Sequence, residues 1–205
     1  MRFSREMSHL PSVPLDLIKW PWEEKIEHNS HRRVYTKDGR GVQNATFDMY
    51  PVQPNNAELH DWIVQHVYPN CASPMRLTIF HNTSSSINGP HTDTQRVLIL
   101  NYFLDLGGDD VWTTWYRDKT RDSLILEGSY YSMNYNDLEP LERVKFEKHK
   151  WYLLNGRVPH SIDGMTGSRL YLSLCFLKQD LHLLGDEIVQ WFLTNSGISN
   201  IEDVI

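Results

Sequence analysis

Gly89-Pro90-His91-Thr92-Asp93, taken together with Val158-Pro159-His160, sets out two imidazoles and a carboxylate in an order that decides how the rest of the chain must fold. Side chains two residues apart on an extended strand point to the same face. His91 and Asp93 can therefore grip one ion if the backbone is extended there or is just turning out of a strand. His160 must arrive from elsewhere. It follows Trp151-Tyr152-Leu153-Leu154-Asn155, an aromatic and aliphatic strand pattern closed by Gly156 and Pro159, which is a way to bring the end of a second strand to the same point. Two imidazoles and one carboxylate form a facial triad that binds Fe(II) and leaves the opposite face open for substrate and oxygen.

Outward from this pair of stretches the sequence reads as short strands. Met75 to His81 leads into the metal site, and the polar, glycine-ended Asn82 to Gly89 is expected as a loop over or beside the pocket. Arg96 to Leu106 is too apolar to alternate, so it belongs in the middle of a sheet covered on both faces. Within it Asn101 and Tyr102 carry polar groups that need partners, backbone or water being the simplest. Val111 to Asp118, Ser123 to Tyr131, Leu141 to Glu147, Trp151 to Asn155 and Arg169 to Lys178 bring the count to about eight. Ser132 to Pro140 interrupts them as a polar and aromatic insertion. Many short strands with turn residues between them indicate a mainly β protein, a sandwich or jelly roll.

The flanks differ. Residues 1 to 30 carry Pro11, Pro14 and Pro21 beside Trp20 and Trp22, which resists long regular structure, with one helical turn around Leu15 to Lys19. A hairpin turning at Asp38-Gly39 is expected over Arg32 to Met49. A helix should start at Pro54-Asn55-Asn56, carry Leu59, Trp62, Ile63, His66 and Val67 at helical spacing and pack on the outside of the sheet. His60 and His66 are taken as surface or interface histidines. At the far end Leu183, Leu184, Ile188, Val189, Trp191 and Phe192 mark a second helix, stopped by Gly197. The expectation is a single domain over 1–205: a jelly-roll core of about 75–178, an N-terminal arm and helix over 1–74, and a C-terminal helical segment over 180–205, with the helices near 55–67 and 183–196.

The 205 residues carry 26 acidic against 20 basic side chains, a net charge of −6, so no overall basic field exists to attract nucleic acid. Cys71 and Cys175 stand far apart without a Cys-x-x-Cys pair, which fits reduced thiols, and no run approaches the roughly 18 apolar residues of a membrane span. A cytoplasmic protein with no membrane partner is expected. There is no nucleophile elbow, phosphate-binding glycine loop or zinc cysteine set.

His91, Asp93, His160 and Arg169, in that order, resemble the Fe(II)/2-oxoglutarate-dependent dioxygenases of the double-stranded β-helix (jelly-roll) type. The likeness is strongest to the prolyl-hydroxylase and aspartyl/asparaginyl-hydroxylase branches and covers roughly residues 75 to 178. The resemblance implies that His91, Asp93 and His160 are the catalytic iron ligands. It also implies that Arg169, nine residues after His160, holds the far carboxylate of the cosubstrate 2-oxoglutarate, suiting it by its planar two-toothed fork. With O2 the cosubstrate would yield succinate and CO2 while the prime substrate is hydroxylated. Many members carry Ser or Thr two residues after the arginine. Here Tyr171 stands there, and Ser173, four after, is the candidate hydroxyl. Asn101 and His81 are further candidate cosubstrate contacts, His81 with a plain structural role as the simpler reading.

Three alternatives stay open. A cupin-like metalloenzyme without 2-oxoglutarate would not need Arg169. A non-catalytic jelly roll holding a ligand such as a sugar would use Trp112, Trp115, Tyr116, Tyr130 and Tyr131 and not require the triad. A vestigial oxygenase would bind iron without turnover. The prime substrate is unidentified: an amino-acid or protein side chain first, a small metabolite second. Its entrance is expected between the tryptophan segment, loop 82 to 88 and the insertion around 130 to 137. Nothing in the sequence indicates an oligomeric state.

Overall fold

The computed structural model describes residues 2–19, 32–35, 42–45, 47–53, 55–68, 77–82, 88–93, 96–125 and 133–203. The expected Asp38-Gly39 turn, Trp20, Trp22, Cys71, loop residues 83–87 and the aromatics Tyr130 and Tyr131 lie outside them.

Two antiparallel sheets carry the fold. The larger consists of β1 (Ser4–Glu6), β4 (Phe47–Pro51), β5 (Leu77–Asn82), β7 (Leu98–Leu106), β10 (Trp151–Asn155) and β12 (Arg169–Phe176), in the order β1-β10-β7-β12-β5-β4. The smaller consists of β6 (Asn88–His91), β8 (Trp112–Asp118), β9 (Leu138–Val144) and β11 (His160–Asp163), in the order β6-β11-β8-β9. From β5 onward the chain passes from one sheet to the other at each connection except β8 to β9. That makes a double-stranded β-helix, a jelly roll, as the strand count suggested. β2 (Arg32–Tyr35) and β3 (Val42–Ala45) pair as a separate antiparallel ribbon.

The apolar run of β7 has a physical reason. It pairs with β10 on one side and β12 on the other, and both of its faces are buried. Leu98, Leu100 and Tyr102 join Leu172, Leu174 and Leu153 in an outer layer, whereas Ile99 and Phe103 join Trp115, Phe146, Leu154 and Ile162 in the layer between the sheets. Helix α1 (Ala57–His66) covers the outer layer with Leu59 and Ile63. Its start is capped by Asn56, whose Oδ1 accepts from the Leu59 amide at 3.1 Å, a contact worth about 1 kcal/mol. Helix α2 (Asp186–Ser196) adds Phe192 and ends at Gly197, whose φ of 69° is the left-handed conformation that glycine tolerates. No described helix is long and apolar enough to cross a membrane.

Several expectations need correction. β1 was not foreseen: its three residues are polar, and only the burial of Phe3 between the sheets explains the pairing with β10. β9 begins at Leu138 and includes Pro140, with Lys145 to Glu147 outside it. The proline is accommodated where the register with β8 shifts between Trp115 and Tyr116. Ser123 to Ile125 is not a strand. Leu183 and Leu184 precede α2, in and just after a 3-10 turn over Lys178–Leu183. His60 is buried, with its Nδ1 2.8 Å from Gln53 Nε2, and is not a surface histidine.

Candidate metal centre

The two X-Pro-His tripeptides close on one another. His91 ends β6, His160 begins β11, and the two residues are direct Cα partners across that antiparallel pair, with ring centroids 4.5 Å apart. Each ring is tied in the same way. His91 Nδ1 lies 2.8 Å from the Gly89 carbonyl oxygen, and His160 Nδ1 lies 3.0 Å from that of Val158, in each case the residue before the proline. Since a carbonyl only accepts, Nδ1 carries the proton in both rings. In the neutral ring this makes Nε2 the lone-pair donor, the tautomer a metal requires.

Asp93 lies just past the end of β6, 3% exposed, and is fixed through its backbone as well as its side chain. Its amide donates to the Gly156 carbonyl at 2.8 Å, and its own carbonyl accepts from Arg157 Nη1 at 3.3 Å. Of the two carboxylate oxygens, Oδ1 accepts from Arg96 Nη2 at 2.5 Å and Oδ2 stands 3.8 Å from His160 Nε2. Burial works against the Arg96 charge, but Asp93, with Cys175 and Tyr171, outweighs it and holds the guanidinium above its ordinary pKa. Among the described residues no group of histidine, cysteine and acidic side chains stands in ready-made coordination geometry. What is brought together at one cleft is two imidazoles and one carboxylate.

The cleft at this point is also lined by Arg169. Arg169 opens β12 opposite Asn82 on one side and Leu106 on the other. It is 3% exposed, its guanidinium is 4.7 Å from the Phe103 ring and 5.6 Å from the Tyr171 ring, and its Nε and Nη1 make no hydrogen bond among the described residues. Burial pushes its pKa down to about 10, against a smaller opposing effect from Tyr171, which leaves it charged at neutral pH. Two other buried atoms in the cleft wall lack a partner among the described residues, Thr113 Oγ1 and Asn101 Oδ1. A buried charge and buried polar atoms without partners cost several kcal/mol together. Arg169 and the Thr113 hydroxyl are donors facing one cleft, which fits a bound anion, whereas Asn101 Oδ1 can only accept.

Asn101 thus reaches the cleft wall. Ser173 and His81 do not. Ser173 is fully buried opposite Asn101, with its Oγ 3.7 Å from Cys175 Sγ, and His81 lies between Phe80 and Asn82, whose side chains take the cleft face and leave the outer face to it. The hydroxyl in the cleft belongs instead to Thr113, on β8 of the opposite sheet. Sequence reasoning missed it because alternation groups Thr113 with Trp115, and Thr114 with Tyr116, without saying which pair faces inward. Trp115, wholly buried, settles the parity. Of the aromatics considered for a sugar site, Trp115 and Tyr116 are buried, while Trp112 packs under Arg143 at 4.4 Å.

No protein-family model matches the chain, and no curated protein matches it. Solved structures do. The Escherichia coli protein ycfD is similar over 64% of this chain with 11% identity and a TM-score of 0.41, and this chain covers only 33% of its length. A non-heme alpha-ketoglutarate-dependent epimerase, SnoN of nogalamycin biosynthesis, in a complex with Fe3+, alpha-ketoglutarate and nogalamycin RO, is similar over 73% of this chain and 68% of its own, with 13% identity and a TM-score of 0.43. An oxalate decarboxylase of Bacillus subtilis, OxdC, is similar over 76% of this chain and 34% of its own, with 7% identity and a TM-score of 0.33. At such values the chemistry rests on this chain's own residues.

Proposed function

We propose that the chain is an Fe(II)- and 2-oxoglutarate-dependent oxygenase, one domain over 1–205, that hydroxylates an unidentified prime substrate, an amino-acid or protein side chain first. The observation that carries the reading is Arg169: a buried guanidinium without an anionic partner among the described residues, lining the same cleft as two imidazoles and a carboxylate. A cation buried in that way is costly unless a carboxylate meets it, and a keto acid with a second carboxylate supplies one while its other end reaches the metal.

In this reading His91, His160 and Asp93 hold the ion, through the two Nε2 atoms and Oδ2. Arg169 pairs with the far carboxylate, and Thr113 Oγ1 donates a hydrogen bond to it. Iron with 2-oxoglutarate and O2 supplies the oxidising chemistry, with succinate and CO2 as by-products. The chain's own contribution is orientation and dryness. Gly89 and Val158 keep the Nδ1 protons on the outer side of both rings, and Ile99, Leu154 and Ile162 present apolar groups to the cleft.

Calorimetry of 2-oxoglutarate binding to the Mn(II)-loaded protein tests the reading. Arg169→Ala should keep the metal and lose about 2–5 kcal/mol of 2-oxoglutarate affinity, the usual cost of truncating one partner of a buried charge pair. No binding by the wild-type protein would favour a cupin-like metal enzyme without the keto acid. Equal binding by the variant would move the anchor to Arg96.

A further inference from the structure

We propose that Arg96 is a positioning residue that restricts Asp93 to one metal-facing oxygen, and so keeps open the coordination position that a two-oxygen carboxylate would fill. This rests on the metal reading above. Arg96 Nη2 lies 2.5 Å from Asp93 Oδ1, while Oδ2 stands 3.8 Å from His160 Nε2. Arg96 is itself held in place. Its guanidinium stacks 5.1 Å from the Phe80 ring, and its Nη1 lies 4.0 Å from Cys175 Sγ. It is also 23% exposed on its side chain while Asp93 is 3% exposed, so the pair is shielded on the carboxylate side, where a charge-assisted bond is strongest.

The consequence follows from counting donors. An ion held by His91, His160 and a single oxygen of Asp93 would keep its remaining positions for a chelating keto acid and one further small ligand. Carboxylates bind metals with one oxygen or two. A carboxylate free to use both would occupy one of those positions. The Arg96 bond to Oδ1 removes the second mode, because turning Oδ1 to the metal would leave a largely buried guanidinium without its anion.

Water-proton relaxation of the Mn(II)-loaded protein reads the number of exchangeable positions independently of turnover. Arg96→Met, which keeps the length of the chain and removes charge and donors, should bind Mn(II) with relaxivity about a third lower as one open position of three is filled, and 2-oxoglutarate should bind at least tenfold more weakly. Arg96→Lys, which keeps a charged donor, should retain most of both. If Arg96→Met does not fold, Arg96→Gln beside Arg96→Lys makes the same comparison, with the lower relaxivity expected in Gln. Wild-type relaxivity in the neutral variant at equal metal occupancy overturns the proposal, even if 2-oxoglutarate weakens, since Arg96 would then touch the cosubstrate directly. Failure of the wild-type protein to bind Mn(II) would instead remove the metal reading on which it stands.

Discussion

Gly156 stands so near Arg96 that a β-carbon added to it would lie 2.5 Å from the Arg96 carbonyl oxygen and 3.2 Å from Asp93 Cβ. The Gly156 carbonyl also accepts the Asp93 amide, and the Gly156 amide donates to Val97. The turn out of β10 and the loop bearing Asp93 are therefore laced together through a position where only glycine fits.

Gly156→Ala should cost about 1–3 kcal/mol of stability through overpacking against backbone, and should weaken Mn(II) roughly tenfold or more by displacing Asp93. Denaturant melts beside a metal titration check both. A variant with unchanged metal affinity would show that the Asp93 loop does not depend on this contact.

His91→Ala and His160→Ala should each fold and each lose metal by more than the roughly 10–100-fold that partners outside the donor set are worth. Mn(II) binding followed by electron paramagnetic resonance measures this, and wild-type affinity in either protein would place the ion elsewhere.

Thr113→Val removes a buried hydroxyl that has no partner among the described residues. Its stability should therefore hold or rise slightly, while 2-oxoglutarate affinity falls by about 1 kcal/mol, the worth of one hydrogen bond. Thermal melts without ligand and calorimetry with it separate the two effects. A clear loss of stability in the ligand-free variant would mean that the hydroxyl is bonded within the fold.

The pH dependence of 2-oxoglutarate binding follows from Arg169. Burial lowers its pKa in the free protein to about 10, and a paired carboxylate would raise it, so the complex holds the proton to higher pH than the free protein does. Affinity should be level over roughly pH 7 to 9 on account of this group and then fall about tenfold per pH unit above the free-protein value, as binding must take up a proton. Calorimetry in buffers of differing ionisation enthalpy would reveal that uptake, and its absence at alkaline pH would sink the assignment.

How far the sequence could be read varies with the range of the information. Gly89-Pro90-His91 and Val158-Pro159-His160 were legible because each is a local pattern of residues; that each ring turns to the carbonyl two residues before it, and that the two repeat one motif, went unread. The β7 run was legible because burial on both faces leaves a continuous apolar stretch. Asn155 illustrates what was not. Its side chain bonds Ser196 Oγ at 2.7 Å and the Arg157 amide at 3.0 Å, and its carbonyl accepts from Trp115 Nε1 at 3.1 Å. Ser196 lies on α2 and Trp115 in the opposite sheet, and no local pattern announces either. Thr113 was overlooked because alternation gives the two faces of a strand and only the neighbouring strands decide which face is inside, whereas Ser173 shares the face of Tyr171 and Asn101 but is fully buried beside them.

The passage of the chain from sheet to sheet has a thermodynamic corollary. His91 comes from β6, His160 from β11, Arg169 from β12 and Thr113 from β8, so no fragment shorter than most of the jelly roll assembles the centre. An unfolded chain offers the same side chains with none of their mutual placement. Metal and dicarboxylate should then bind the native state almost exclusively and raise the unfolding free energy by RT ln(1 + [L]/Kd), about 2.7 kcal/mol for a ligand at 100 times its Kd. Chelation would lower the melting temperature, and the size of that drop at known free metal would give the affinity of the assembled centre without any assay of turnover.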